Sequence, residues 1–85
     1  MSKRYLVLAM RKPAFDPAVV GPHLAFRDGL RPQGCLELAG AFGDRSGGAY
    51  VLQADDLEAA RAIAYADPLH AAGASTVTVH EWRAN

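Results

Sequence analysis

The sequence predicts an α+β fold of the ferredoxin-like type, in which one domain spanning residues 1–85 has its elements in the order β-α-β-β-α-β. Two observations predict it: the order of the apolar patterns, and the contrast between strands apolar on both faces and strands with polar residues interleaved. The first and third predicted strands are the two apolar on both faces, and this topology places those two in the centre of a four-stranded antiparallel sheet. The predicted strands are residues 5–10, 35–42, 49–53 and 76–82, and the predicted helices are residues 22–31 and 56–66.

The first strand is a short, continuous apolar run at residues 5–10. It resembles the start of a signal peptide, but it is far too short to cross a membrane, and charge returns at Arg11 and Lys12. We therefore expect a strand covered on both faces, no membrane segment, and a cytoplasmic protein.

The first helix has two candidate starting points. Pro22 suits the first helical position, because its missing N–H would have no partner there, and Pro32 ends the helix. An earlier start at Asp16 is the alternative, with Pro22 kinking the helix.

The second half of the chain has clearer signals. Leu36 and Leu38 alternate with polar or small residues, which predicts that they share one face of a half-buried strand. After a polar, glycine-rich hairpin connection, Asp55 is predicted to cap the second helix, with Glu58 close to a capping-box position. Asp67 precedes a proline and ends that helix.

The two helices can cover only one face of the sheet, yet the central strands are apolar on both faces. Something apolar should cover the second face, and a second copy of the chain is the simplest candidate. We therefore predict a homodimer in which two sheets pack face to face as a dimeric α+β barrel. The alternative is a partly exposed sheet of small residues.

Composition argues against several classes of partner. Nine basic and nine acidic residues give no net charge, and no basic stripe is present to bind nucleic acid. Cys35 is the only cysteine, and the three histidines lie far apart, so neither a disulfide nor a metal site is predicted. We expect no cofactor.

The chain contains several short motifs: His23-Leu24, residues 34–40 (GCLELAG), Gly47-Gly48, Asp55 with residues 57–60 (LEAA), Asp67-Pro68-Leu69, Ala72-Gly73 and the closing Trp82. Together these motifs resemble the YciI-like family of YCII-related domains. The resemblance implies a dimeric barrel of the muconolactone-isomerase type, with a cleft in which His23 and Asp67 form a catalytic pair. It covers essentially the whole chain.

One departure from the family pattern concerns an arginine. Many relatives have an Arg about one turn before the helix histidine, whereas residues 19–22 here are Val-Val-Gly-Pro. If that Arg binds substrate, Arg11 or Arg27 would have to replace it.

Each candidate residue of the pair also has a purely structural interpretation. His23 shares an apolar helix face with Phe26 and Leu30, which turns it toward the sheet, where it is either a general base or a core histidine bonded to a backbone carbonyl. Asp67 is a good N-cap for a short turn beginning at Pro68, and the same carboxylate could orient the His23 ring.

Two further residues are candidates for binding substrate. Arg11 follows the first strand and could bind an anionic group, or it is a solvated charge. His70 either lines the mouth of the cleft or lies on the surface.

The function these features favour is that of a small, cofactor-independent enzyme. It would catalyse proton transfer, as in isomerisation or elimination by a lyase-type reaction, on a small organic molecule in the cleft, with His23 and Asp67 as the acting pair. Because fold and family analogy carry much of this hypothesis, the sequence leaves open whether the protein is an enzyme. A non-catalytic small-molecule-binding or dimeric interaction module is the alternative, and no residue argues specifically for an oxygenase of the same architecture.

Overall fold

The computed structural model describes residues 2–84 and confirms the predicted topology. Its four strands form one antiparallel sheet in the order β2-β3-β1-β4, so β1 and β3 are central. The elements are β1 (Lys3–Arg11), a 3-10 turn (Pro17–Val19), α1 (Val20–Leu30), β2 (Leu36–Ala41), β3 (Gly47–Ala54), α2 (Leu57–Tyr65), the one-turn helix α3 (Pro68–Ala71) and β4 (Ser75–Glu81). In the part of the chain described, no helix has the length and apolar character that crossing a membrane requires.

The hydrophobic core lies between the sheet and the helices. Tyr5, Val7 and Leu52 are fully buried in it, and cross-strand pairing places Tyr5 opposite Leu52 and Val7 opposite Tyr50. Ala60 and Ala64 of α2 are also fully buried. The small alanine side chains let α2 pack closely against the sheet.

The first helix begins earlier than Pro22. Asp16 accepts a hydrogen bond from the backbone N–H of Ala18 and caps the 3-10 turn, and α1 follows directly from Val20. The prediction that Pro22 is the first helical residue is therefore wrong, and the alternative start at Asp16 is confirmed. Pro22 is tolerated as the third residue of α1, because it still lies in the first turn, where backbone N–H groups lack intrahelical acceptors.

The cap of the second helix lies one residue later than predicted. Asp56, in an extended conformation, accepts the backbone N–H of Ala59 at 2.7 Å, so Asp56 and not Asp55 is the N-cap of α2. The predicted cap at Asp67 is confirmed: it accepts the backbone N–H of Leu69, and Pro68 is the first residue of α3.

A β-bulge in β2 corrects the predicted faces of two leucines. Leu36 is opposite Leu52 but Leu38 is opposite Val51, so one extra residue lies between them. The insertion turns the remainder of β2 over: Leu36 faces the helices and is buried, whereas Leu38 lies on the opposite face and is 67% exposed. The prediction that both share one face is wrong.

The sheet face away from the helices, here termed the open face, is apolar along its centre. Cross-strand pairing places Leu6 opposite Val51 and Leu8 opposite Ala49 on this face. Leu6 and Leu8 are half-buried, while Leu38 is largely exposed. The second apolar face expected from the sequence is thus present.

Candidate functional site

A cavity of about 130 Å³ lies between α1 and one end of the sheet. Its floor is a row of small residues side by side, in which Ala41 pairs with Gly48 and Gly48 with Ala9. In the next row the same strands carry Ala39, Tyr50 and Val7. The three floor residues carry at most a methyl group, which leaves room for the cavity above them.

Gly48 has a second reason to lack a side chain. A Cβ built at this position would lie 2.6 Å from the carbonyl oxygen of Gly40, which is backbone and cannot rotate away. Any other residue would push β2 and β3 apart. The glycine therefore keeps both the floor of the cavity and the pairing of the two strands.

His23 lies on α1 and lines the cavity. Its Nδ1 is 2.9 Å from each carboxylate oxygen of Asp67, which precedes α3. The His23 side chain is 15% exposed, whereas Asp67 is fully buried. The structure thus brings together two residues that are 44 positions apart in the chain.

The Asp67 carboxylate has two further donors. Oδ1 accepts the backbone N–H of Leu69 at 2.9 Å, and Oδ2 accepts the hydroxyl of Tyr50 at 3.0 Å. An ionised carboxylate only accepts hydrogen bonds, so the His23 nitrogen facing it must be the donor. The proton of a neutral ring is therefore held on Nδ1, which leaves the lone pair of Nε2 free for chemistry.

Tyr50 is a site residue that the sequence prediction missed. Burial raises the pKa of its phenol, and the negative charge and hydrogen bond of Asp67 raise that pKa further. The hydroxyl therefore remains a donor to Asp67 across the physiological range. A sequence signal existed: Tyr50 lies on a strand expected to be buried, and a buried tyrosine hydroxyl usually needs a partner.

Arg11 and His70, the two predicted substrate-binding residues, lie in different surroundings. Arg11 lines the cavity, and its guanidinium carbon is 4.3 Å from the centre of the Phe15 ring. His70 is exposed, stacks on Tyr65 with ring centroids 4.5 Å apart, and is not among the residues lining the cavity. Binding of substrate by either residue stays a prediction.

The side chains of the site suit proton transfer better than they suit the binding of a metal ion. Within residues 2–84, no three His, Cys, Asp or Glu side chains come together as a metal-binding group would require. Cys35 is a free, partly buried cysteine that does not line the cavity. A histidine held by a buried carboxylate is instead the usual arrangement of a general base and the group that orients it.

Comparison with known proteins identifies relatives of the whole chain. The uncharacterized protein YjpA of Bacillus subtilis (strain 168) is 46% identical over 79 residues, which are 93% of each chain. Among solved structures, 5-chloro-2-hydroxyhydroquinone dehydrochlorinase (TftG) from Burkholderia phenoliruptrix AC1100, in complex with 2,5-dihydroxybenzoquinone, matches with a TM-score of 0.75. That match covers 96% of this chain and 95% of the other at 16% identity, so it shows a shared fold. The family model of the YCII-related domain matches residues 3–83, and the chain belongs to this family.

Proposed function

We propose that the protein is a cofactor-independent enzyme that transfers a proton on a small organic molecule bound in the cavity. One observation carries the proposal: the His23 ring lines the cavity while its Nδ1 is bonded to the fully buried Asp67. A histidine that served only as packing would need neither a buried carboxylate behind it nor an open space in front. The free Nε2 is the atom that would exchange the proton with the substrate.

The chemistry follows from this pairing. Nε2 takes a proton from a C–H or O–H bond of the substrate, and Asp67 stabilises the imidazolium that forms. In an elimination, the electron pair left behind forms a double bond while a leaving group such as chloride departs with its own pair. In an isomerisation, the imidazolium returns the proton to a different carbon. Both reactions balance without an oxidant or reductant.

The comparison with the dehydrochlorinase supports an elimination as the first reaction to test. That protein has the same fold, and its name states that it removes hydrogen chloride from a chlorinated hydroxyhydroquinone. The cavity here, about 130 Å³, is close to the roughly 150 Å³ of an engineered cavity that binds benzene. A single six-membered ring is therefore the substrate size we propose.

A turnover assay separates this proposal from a non-catalytic binding module. The purified chain is incubated with 5-chloro-2-hydroxyhydroquinone, and separately with an unsaturated lactone, while chloride release and isomerised product are followed. We expect at least one reaction to run faster than the spontaneous background. Saturable binding of 2,5-dihydroxybenzoquinone, with background rates for both substrates, would instead favour the binding module.

We further propose that a second copy of the chain covers the open face. Leu38, Trp82 and Met10 are large apolar residues, respectively 67%, 46% and 38% exposed. The strand pairing places Leu38 and Met10 on this face, and Trp82 directly follows β4. An apolar patch of this kind on so small a domain is typical of an interface between subunits. Pairing two such sheets would give the barrel expected from the sequence.

Leu38→Glu tests this assembly. We expect the wild-type protein to sediment at twice the 9.1 kDa mass of one chain and the variant at the monomer mass, because the new charge would be buried between the sheets. Ala62→Glu, which places the same charge on an exposed position of α2, is the matched control and should remain dimeric. A wild-type protein that sediments as a monomer at all concentrations would refute the proposed dimer.

A further inference from the structure

Two buried polar atoms in the cavity wall have no hydrogen-bond partner within residues 2–84. They are the Oγ of Ser75, a residue only 3% exposed, and the Nε of Arg27. Both residues line the cavity that His23 lines. Because buried polar groups in proteins are nearly always hydrogen-bonded, two unpartnered groups around one cavity indicate that a ligand supplies their partners.

The charge of the wall specifies the ligand further. Arg11 and Arg27 both line the cavity, and among residues 2–84 no aspartate or glutamate does so. In the described part of the chain, neither arginine forms an ion pair. Asp67, the nearby carboxylate, already accepts three hydrogen bonds and is fully buried. The cavity therefore presents uncompensated positive charge to whatever enters it.

Arg27 and Ser75 lie close in the fold to His23 and Arg11, respectively. Arg27 follows His23 by four residues on α1, so the two side chains lie one turn apart on the same face, with about 6 Å of helix rise between them. Ser75 is directly opposite Arg11 across the β1–β4 pair. Arg27, Ser75 and His23 thus line one cavity, whose volume of about 130 Å³ suits a single six-membered ring.

We infer that the cavity selects a monocyclic organic anion, whose charged oxygen binds Arg27 and Ser75 while its ring lies against His23. Arg11 adds long-range attraction at the mouth. The guanidinium donates charge-assisted hydrogen bonds to the carboxylate or phenolate oxygen, and the serine hydroxyl donates a further one. This inference names the substrate class of the proposed enzyme. It rests on the proposed function only for the reaction of the bound molecule with His23.

A matched pair of ligands tests the inference without any turnover. Benzoate and benzamide have nearly the same shape and differ in charge, and the binding of each is measured by NMR chemical-shift titration. We expect benzoate to bind at least about tenfold more tightly than benzamide, as expected for a hydrogen bond to a charged group. The largest shifts should fall on residues lining the cavity.

Three variants assign the selectivity to the two residues. Arg27→Gln should lower benzoate affinity about 10- to 100-fold and leave benzamide affinity unchanged, while Arg27→Lys retains part of the preference. Ser75→Ala should weaken benzoate binding severalfold, about the effect of one neutral donor. Arg31→Gln, an exposed arginine that follows α1 and does not line the cavity, is the control and should bind as wild type.

The outcomes separate this inference from the proposed function. Equal affinity for the two ligands, no binding of either, or an unchanged preference in Arg27→Gln would overturn the anion site. A clear preference for benzoate in a protein that turns over neither proposed substrate would support the anion site and count against the enzyme. His23→Gln should retain the preference for benzoate in either case.

Discussion

Asp67→Ala is expected to lower the free energy of unfolding by about 2–4 kcal/mol. The substitution leaves the buried Tyr50 hydroxyl without its acceptor, which costs about 1–3 kcal/mol. It also removes the N-cap of α3, worth about 1 kcal/mol. Urea denaturation followed by circular dichroism measures the change through the midpoint at constant slope.

Asp56→Ala is the matched control for this prediction. Asp56 caps α2 through the backbone N–H of Ala59 but is exposed, and no side chain in the described part of the chain donates a hydrogen bond to it. Its removal should therefore cost only the cap, about 1 kcal/mol. Equal losses in the two variants would mean that Asp67 is a helix cap and nothing more, which would contradict the buried network described above.

His23→Gln is expected to lower kcat by about 10²–10⁴-fold for whichever substrate the protein turns over. Glutamine keeps a polar group near Asp67 and roughly the volume of the ring, but it cannot take up a proton near neutral pH. We expect the unfolding midpoint to change little, since the His23 side chain is partly exposed and Tyr50 still donates to Asp67. Steady-state kinetics and urea denaturation on the same preparation measure both quantities.

His80→Gln is the control for the kinetic prediction. His80 is exposed on β4, contacts Thr78, and lies opposite Leu6 on the open face, away from the cavity. Its variant should retain the wild-type rate. A normal rate in His23→Gln would remove the histidine from the chemistry and leave it as a binding or packing residue.

The topology could be predicted because β1 and β3 have apolar residues at consecutive positions, which indicates that both faces of these strands are buried. A strand covered on both faces needs apolar residues at consecutive positions, whereas an edge strand tolerates alternating polar and apolar residues. This contrast identifies the two central strands from the sequence. The pairing of β1 with β3 follows from this contrast, whereas the pairing of β4 with β1 follows from the ferredoxin-like order of the elements.

The errors in local structure have specific physical causes. Asp55 and Asp56 are equally good caps by residue type, and only the extended backbone of Asp56 decides between them. The bulge in β2 is invisible in the sequence, because an alternating pattern shows which residues differ but not where one extra residue has been inserted. Pro22 is favourable anywhere in the first turn of a helix, so it did not fix the starting residue.

The site could be predicted only in part, since it depends on contacts between distant segments. His23 and Asp67 came from family motifs, and Asp67 also from its position before a proline. That Tyr50 donates to the same carboxylate depends on the register of β3 against β1, which the sequence does not specify. Ser75 carried no motif, and Arg27 was named only as a substitute for the arginine that many relatives have before the helix histidine. Their unpartnered buried atoms and their place in the cavity wall became visible only in the structure.

The tautomer of the His23 ring tests most directly the claim that Asp67 holds the imidazole with its reactive nitrogen toward the cavity. Long-range ¹H–¹⁵N correlation spectra of the protein, recorded at a pH where the ring carries a single proton, distinguish the two nitrogens by chemical shift. We predict that the proton lies on Nδ1 and that Nε2 is unprotonated, with the preference reduced in Asp67→Asn. A proton on Nε2 in the wild-type protein would contradict the account, because the hydrogen bond to Asp67 would be absent and no lone pair would face the substrate.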